Sequence, residues 1–297
     1  MSSLKQEYLE GIIRAISRPR LSTYRRFFSV ASDREAYGVY CWSEALAGYL
    51  ADALRLAEVV MRNRLHQAFG QHYGASQANA SGDWYSAIKL APTSAEAVRR
   101  ITHERLRIQG RMAWVKRVPD VSPDDVVSRL TFGFWPHLLD AEADAGGSPI
   151  AWGPILVDAL PGHRYKAVAY WASQRNRDKL FARMDYCNWL RNRIAHLEPV
   201  WKAGPLLVED RARQHFTPRI VAPAPRTPAE AIARMSLSYG RVLELMGWFS
   251  PELRATHAIG EAHYQFVSLN SLAALAAFRR HCGYRQARPV ALWVPLP

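Results

Sequence analysis

The sequence predicts an all-α protein, and three observations support this fold class. Apolar residues recur at helical spacing over two long stretches, residues 4–17 and 34–70. Four segments combine a proline with capping side chains in the pattern of a helix start, and they are residues 92–96, 122–125, 227–230 and 250–252. Alternation typical of a β-strand occurs only near the C-terminus, in residues 289–296, which are too few to form a sheet.

The N-terminal part of the chain is predicted to contain three helices. Residues 4–17 form the first, and Pro19 interrupts it before a short basic segment. The aromatic side chains of this segment are expected to pack in the core: Tyr24, Phe27 and Phe28. Residues 34–70 form the longest helix, and a third helix runs from a capping box at Thr93 to about Gln109.

The remaining chain is also predicted to be helical, with a glycine-rich loop at residues 146–149. A short apolar helix follows the loop to Leu160, and a basic helical region, interrupted near Ser173, leads to residues 185–200. Two more helices begin at the capping segments after residue 226. We expect one all-α unit, residues 1–297. It divides into a helix and basic arm (1–32), a core (33–257) and a helical extension with an extended tail (258–297).

Residues 185–200, DYCNWLRNRIAHLEPV, concentrate polar side chains near a predicted helix end. Because Pro199 disfavours helical geometry at the preceding residue, the helix should end at residues 195–197. Asn192 and His196 lie about 40° apart around the axis, whereas Arg191 lies about 140° from His196. Arg191 therefore reaches the same place only through its long side chain or a distorted last turn. The opposite side carries apolar residues suited to packing: Leu190, Ile194 and Leu197.

This segment resembles the signature of the Abi-like (abortive infection) family of the HEPN superfamily, in which a polar residue follows Arg and four to six residues separate Arg from His. Here Asn192 follows Arg191, and four residues separate Arg191 from His196. The resemblance extends over roughly residues 43–253. It includes SEALAGYLADALRLAEVVMRNRLHQAFGQHYG with DWY upstream, LTFGFWPHLL in the middle and WFSPEL near the end.

The resemblance implies an all-α homodimer that cleaves RNA without a metal or cofactor in a composite cleft built by both protomers. The residue types suit that chemistry. His196 can transfer a proton near neutral pH, and Arg191 can bind two phosphate oxygens. Asn192 can orient the imidazole or the phosphate by hydrogen bonding. A toxic nuclease also needs restraint, so the family implies a neutralising antitoxin, either a structured RNA or a protein. Taken alone, a short motif of this kind is more typical of a helix cap with a core histidine than of a catalytic site.

The distribution of charge along the chain also favours a nucleic-acid partner. The formal net charge is +13 at pH 7, which is typical of proteins that bind polyanions, although the arginine-rich composition of a GC-rich genome produces a similar bias. Residues 161–202 hold nine Lys and Arg against three acids. Polar and basic side chains in this region are predicted to bind RNA: Arg175, Arg177, Lys179, Arg183, Asn188 and Arg193. Glu198 is predicted to support His196 or Arg193, or to form a simple surface pair.

Other chemistries have weaker support. Three widely spaced cysteines favour a reducing cytoplasm over a disulfide framework or a zinc site, and the sequence has neither an apolar leader nor a membrane-length run. Two further hypotheses stay open at this point. One is an HEPN-like protein that binds RNA or a partner without cutting it. The other is a metal-dependent nuclease that uses the acids of residues 140–144, although a solvated acidic turn is the simpler interpretation of these acids.

Overall fold

The computed structural model describes residues 6–73, 82–211 and 219–281. This described part of the chain is mostly helical, with 66% of its residues in helices and 8% in strands. The helices are α1 (Gln6–Ile16), α2 (Arg18–Phe28), α3 (Asp33–Tyr73), α4 (Trp84–Ala87), α5 (Pro92–Thr102), α6 (Pro123–Arg129), α7 (Phe134–Leu138), α8 (Trp152–Ala159), α9 (Val168–Ala172), α10 (Gln174–Ala195), α11 (Pro228–Phe249), α12 (Pro251–Ala258), α13 (Glu261–Leu269) and α14 (Leu272–His281). The strands are β1 (His103–Ile108), β2 (Arg111–Lys116), β3 (Leu206–Leu207) and β4 (Ile220–Ala222).

Helix α3 is the centre of the fold. Its 41 residues make a rod about 60 Å long, and helices α2, α8, α11, α13 and α14 pack around it. Trp42 is fully buried in this core and its Nε1–H donates to the carbonyl of Leu269 at 2.8 Å. Gly38 lets the backbone of α14 approach, because a Cβ atom there would lie 2.1 Å from the carbonyl oxygen of Phe278. The predicted longest helix is thus the core of the protein.

Local capping chemistry fixes three of the predicted helix starts. The side chains of Ser122, Thr227 and Ser250 accept hydrogen bonds from backbone N–H groups three residues ahead, at 3.1, 3.2 and 3.1 Å. The prediction of a capping box at Thr93 is wrong. Helix α5 begins one residue earlier, at Pro92, and its N-cap residue is Ala91, which has no capping side chain.

A β-hairpin replaces the second half of the predicted helix that was expected to reach Gln109. Helix α5 ends at Thr102, and β1 pairs with β2 in antiparallel register from His103 opposite Lys116 to Ile108 opposite Arg111. Gln109 and Gly110 join the strands with φ angles of 48° and 80°, the pattern of a type I′ turn. The hairpin and the small β3–β4 sheet are the two sheets in the described part of the chain.

The predicted basic arm near the N-terminus is itself a helix, α2. Ser17 breaks the chain between α1 and α2 with φ 80°, and Pro19 then occupies the first turn, where no intrahelical N–H is required. As predicted, Tyr24 and Phe28 are buried, and both pack edge-on against the indole of Trp201. This short helix therefore belongs to the core.

The C-terminal region beyond residue 258 continues as helices α13 and α14, in agreement with the predicted helical extension. The alternating segment 289–296 lies outside the described residues. Across the parts of the chain that are described, no helix combines the length and the apolar character needed to cross a bilayer.

Candidate functional site

Helix α10 ends at Ala195, as predicted, with His196 as its C-cap residue. The backbone then turns back on itself. The N–H of Glu198 donates to the carbonyl of Arg193 at 2.8 Å, and the N–H of Leu197 donates to that of Ile194 at 2.9 Å. This pair of hydrogen bonds is the Schellman motif, which requires a left-handed residue, and Leu197 adopts φ 55°.

The turn decides which side chains face outwards. His196 is exposed, and no described residue forms a hydrogen bond with its imidazole. Leu197 is 55% exposed, so its predicted role on the packed side of the helix is wrong. The reason is the left-handed backbone, which rotates the side chain away from the α10 axis. Leu190, by contrast, is fully buried, as the helical spacing predicted.

Arg191 and Asn192 meet beside this turn. Arg191 is exposed and its Nη1–H donates to Oδ1 of Asn192 at 3.3 Å, while Asn192 is half-buried. Among the described residues, no hydrogen bond links either side chain to His196. The structure thus brings the cation and the amide together and leaves the imidazole as a separate, solvent-facing group.

A neighbouring helix adds two charged residues that the sequence had not assigned to the site. Burial raises the pKa of Glu58 on α3, and the positive charges of Arg191 and Arg62 oppose that rise. Arg62 lies one turn beyond Glu58, a spacing that favours an ion pair within the helix. The Nη1–H of Arg62 instead donates to the carbonyl of Ser128 at 3.1 Å. Glu58 is therefore a half-buried carboxylate that lies within the field of two arginines.

A repeated triplet is the sequence signal that points to this neighbourhood. Residues 62–64 of α3 and residues 191–193 of α10 both read Arg-Asn-Arg, and the two helices contact each other. His66, one turn beyond Arg62, is a structural residue. Its Nδ1 accepts from the indole N–H of Trp84 at 2.8 Å, so its Nε2 carries the proton and donates to Asp124 at 3.0 Å.

Asn188, one turn before Asn192, is half-buried rather than projecting into solvent. It packs against Gly133 in the FGFW segment, where a Cβ atom on the glycine would lie 3.5 Å from the Asn188 Nδ2. Asn188 therefore packs against the chain preceding α7.

Arg193 and Glu198 hold the turn itself. The guanidinium of Arg193 pairs with Glu198 at 2.8 Å, donates to the carbonyls of Pro199 and Lys202 at 2.9 and 3.0 Å, and covers the indole of Trp189. Because these contacts occupy the guanidinium, the prediction that Arg193 binds RNA is corrected to a structural role. Glu198 pairs with Arg193, which is one of the three predicted alternatives.

Arg183 is likewise structural. Its side chain is 7% exposed and pairs with Glu209 and Glu244, and its Nη1–H also donates to the carbonyl of Arg241 at 3.2 Å. A buried guanidinium is stable only when its donors are satisfied in this way. Arg183 is therefore a buried, ion-paired residue, and its predicted contact with RNA has no support from these contacts.

The three remaining basic residues of α10 divide between structure and surface. Arg177 donates to the carbonyls of Trp171 and Ala172 at 3.1 and 2.6 Å, so it joins α9 to α10. Arg175 and Lys179 are exposed, with the Lys179 Nζ 3.4 Å from Oδ1 of Asn176. Only Arg175 and Lys179 of these three present their charges to solvent.

The carboxylates of residues 140–144 and the thiol of Cys187 could in principle support a metal site or a nucleophile, but their surroundings in the fold explain them otherwise. Burial works against ionisation of Asp140, but hydrogen bonds from Arg211 and His137 outweigh it and lower the pKa of this carboxyl. Asp144 accepts from the N–H of Ser148 at 2.8 Å and shapes its loop. Cys187 is fully buried, and burial raises the pKa of its thiol to about 12. These contacts give Asp140, Asp144 and Cys187 structural roles.

The arrangement as a whole presents an exposed cation, an amide and an imidazole without a hydrogen-bond partner among the described residues, all at one helix terminus and beside a half-buried carboxylate. Such a set can bind a phosphate and exchange protons with it or with a neighbouring hydroxyl group. Comparison of the chain with known protein families, with curated proteins and with solved structures finds no match.

Proposed function

We propose that this protein is a metal-independent endoribonuclease of the HEPN type that serves as an abortive-infection or toxin effector. The observation that carries the proposal is the exposure of Arg191 and His196 together at the Schellman turn that ends α10. A histidine that served only to pack the core would be buried. The imidazole instead faces solvent at the position that the sequence motif gives to the catalytic group.

In the proposed reaction, the ribose 2′-oxygen attacks the adjacent phosphorus while one imidazole removes its proton. The bond from phosphorus to the 5′-oxygen breaks, and that oxygen takes a proton from an acid. The products are a 2′,3′-cyclic phosphate and a 5′-hydroxyl. Arg191 stabilises the charge that builds up on the phosphate oxygens, and Asn192 fixes the Arg191 side chain by the contact described above. His196 performs one of the two proton transfers.

A second copy of the chain supplies the other proton-transfer group in this proposal. His196 is separate from Arg191 and Asn192 within one chain, so two copies that face each other at this turn would build one composite cleft with two imidazoles. A homodimer is therefore part of the proposed function, and the neutralising antitoxin, an RNA or a protein, would act by covering the cleft.

The basic hairpin is the second support for an RNA substrate. Residues paired across β1 and β2 share a face, so one face of the hairpin carries Arg105, Arg107, Lys116 and Trp114. Arg105 and Arg107 are exposed, and the guanidinium of Arg105 lies 5.8 Å from the centre of the Trp114 ring. A cationic face of this kind is suited to binding successive phosphates.

Cleavage assays with purified protein test the proposal. Arg191→Ala and His196→Ala are expected to lower the cleavage rate of single-stranded RNA by about 100-fold or more, and EDTA is expected to have no effect. The matched controls are Arg55→Ala and His72→Ala. They remove an arginine and a histidine from α3, outside the turn that ends α10. Cleavage that both site variants retain at the wild-type rate, or products with a 5′-phosphate, would refute the assignment.

The separation of His196 from Arg191 also favours a second candidate, a non-catalytic HEPN-like protein that grips RNA or a protein partner. In this case the RNA would be retained intact. Mass spectrometry of RNA ends after incubation distinguishes the two functions, since only the nuclease produces cyclic phosphates.

A further inference from the structure

A cavity of about 590 Å³ lies away from the Schellman turn, between the chain that follows α8, the first half of α10 and helices α11 and α12. This volume falls within the range of about 300–1,000 Å³ typical of small-molecule sites. The loop that forms one wall is fixed to α11. The N–H of Gly162 donates to the carbonyl of Trp248 at 2.9 Å, and a Cβ atom on Gly162 would lie 1.8 Å from the carbonyl oxygen of Gly247. The cavity is therefore preformed.

His163 is the polar group at the centre of this wall. It is 6% exposed, and aromatic rings surround it: Tyr165, Tyr170, Trp171 and Trp248 have ring centroids between 4.7 and 6.1 Å from that of His163. The rings of Tyr165 and Tyr170 stack on each other with centroids 4.0 Å apart. The outer ring of this stack, Tyr165, is 39% exposed. One face of the Tyr165 ring stacks on Tyr170 and the Arg164 guanidinium lies over the ring, so a flat ligand reaches the Tyr165 ring by displacing the exposed Arg164 side chain.

The hydrogen bonding of His163 leaves one donor without an acceptor. Its Nδ1 accepts from the backbone N–H of Tyr165 at 3.2 Å, so the proton of the neutral ring lies on Nε2. Burial lowers the pKa of His163 to about 4, which keeps the ring neutral at pH 7. No described residue accepts a hydrogen bond from Nε2–H. A ligand atom in the cavity can accept this hydrogen bond.

The charges around the cavity favour an anion. Its two carboxylates, Glu209 and Glu244, are already bound to Arg183, and Arg241 also pairs with Glu209 at 3.0 Å. Three further cationic side chains of the lining are exposed: Arg164, Lys179 and Arg254. The guanidinium of Arg164 lies 4.7 Å from the centre of the Tyr165 ring, so cationic and aromatic surfaces adjoin.

We infer that this cavity binds a nucleoside monophosphate unit, with the base against the aromatic wall, an acceptor atom on Nε2–H of His163 and the phosphate among Arg164, Lys179 and Arg254. The same chemistry is offered by a free mononucleotide and by one nucleotide of an RNA strand. The site is distinct from Arg191 and His196 and stands whether or not the chain cleaves RNA.

Calorimetric titration of full-length protein with AMP, adenosine and inorganic phosphate tests the inference. The His196→Ala variant is used so that an RNA competitor added later is not cleaved. AMP is expected to bind at least about tenfold more tightly than either fragment, because only AMP uses both surfaces. Tyr165→Ala and Lys179→Glu change exposed side chains and should each weaken AMP binding by about tenfold. The matched control Tyr264→Ala, at a tyrosine that is 60% exposed on α13, should bind AMP normally.

His163→Phe keeps an aromatic ring but removes both the Nε2–H donor and the Nδ1 acceptor of the Tyr165 N–H, so it should also lose about tenfold or more in affinity. AMP binding no tighter than that of phosphate would overturn the inference, and so would AMP binding that Tyr165→Ala and Lys179→Glu leave unchanged. The pentanucleotide A5 separates the two sources. Displacement of AMP by A5 assigns the cavity to a nucleotide of a strand, and retention of AMP assigns it to free nucleotides. Cleavage of RNA by the wild-type chain is measured separately, so failure of one proposal does not mimic failure of the other.

Discussion

Cys187 lies nine residues before His196 on the helix that carries the candidate site, and burial determines its reactivity. Because burial raises the pKa of its thiol to about 12, the nucleophilic thiolate is scarce at neutral pH. We expect Cys187→Ala to cleave RNA at the wild-type rate and to lower the free energy of unfolding by about 1 kcal/mol, from the small cavity. Cleavage assays and urea denaturation measure the two effects. A folded Cys187→Ala protein that has lost cleavage would identify the thiol as the nucleophile.

Leu197 occupies a left-handed conformation that disfavours side chains with a Cβ atom. Leu197→Gly is expected to raise the free energy of unfolding by about 1 kcal/mol, since the glycine adopts φ 55° without strain and the lost side chain is 55% exposed. Urea denaturation measures this change. The conservative comparison is Leu197→Val, which keeps the strain because its side chain is β-branched, and should not stabilise the protein. Equal stability of both variants would contradict this account of the turn.

The basic residues of α10 show which features of individual side chains could be predicted from the sequence and which could not. The helix end at Ala195 and the exposure of Arg191 follow from local spacing and from Pro199. The burial of Arg183 does not, because its partners Glu209 and Glu244 lie 26 and 61 residues away along the chain. A count of charges in a segment cannot distinguish a guanidinium that tertiary contacts neutralise from one that reaches solvent.

The stability of the β1–β2 hairpin is expected to depend on its own turn more than on its packing against the rest of the fold. Gly110→Ala should weaken the type I′ turn by about 1 kcal/mol, because an alanine at φ 80° is strained. Faster hydrogen exchange of the β1 and β2 amides, with little change in the exchange of α3, is the expected result. Gly48→Ala is the control. It lies inside α3 with no atom within 4 Å of its added Cβ, and should stabilise the helix. If Gly110→Ala leaves the hydrogen-exchange rates of the β1 and β2 amides unchanged, the assignment of a type I′ turn is contradicted.

Helix starts were predictable and the hairpin was not, for a physical reason. The caps at Ser122, Thr227 and Ser250 use contacts over three residues, which the sequence displays directly. The hairpin joins residues up to 13 positions apart, such as His103 and Lys116, and its strands gain their stability only when they pair. The Gln109-Gly110 dipeptide was the available signal, since glycine in this position favours a tight turn.

The charge of the entire chain bears on the proposed binding of RNA, which should be sensitive to ionic strength. With a net charge of +13 and a cationic hairpin face, we expect the logarithm of the association constant for single-stranded RNA to fall linearly with the logarithm of salt concentration. About four phosphate contacts would give a slope of about −3. Arg105→Ala combined with Arg107→Ala should make the slope less steep by about one. Fluorescence anisotropy at several salt concentrations measures it, and an unchanged slope would remove the hairpin from the RNA surface.

The continuity of α3 has a consequence for insertions and deletions. Each residue of an α-helix advances the chain by about 100° of rotation. Helix α3 carries Trp42, which contacts α13, as well as Glu58, whose carboxyl group feels the charge of Arg191. One extra residue between these two positions would swing Glu58 a quarter-turn or more away from its arginine while Trp42 stayed in place. Helix α3 therefore sets the relative orientation of the C-terminal helices and the candidate site. Insertions or deletions between Trp42 and Glu58 preserve this orientation only when they add or remove close to a whole number of helical turns.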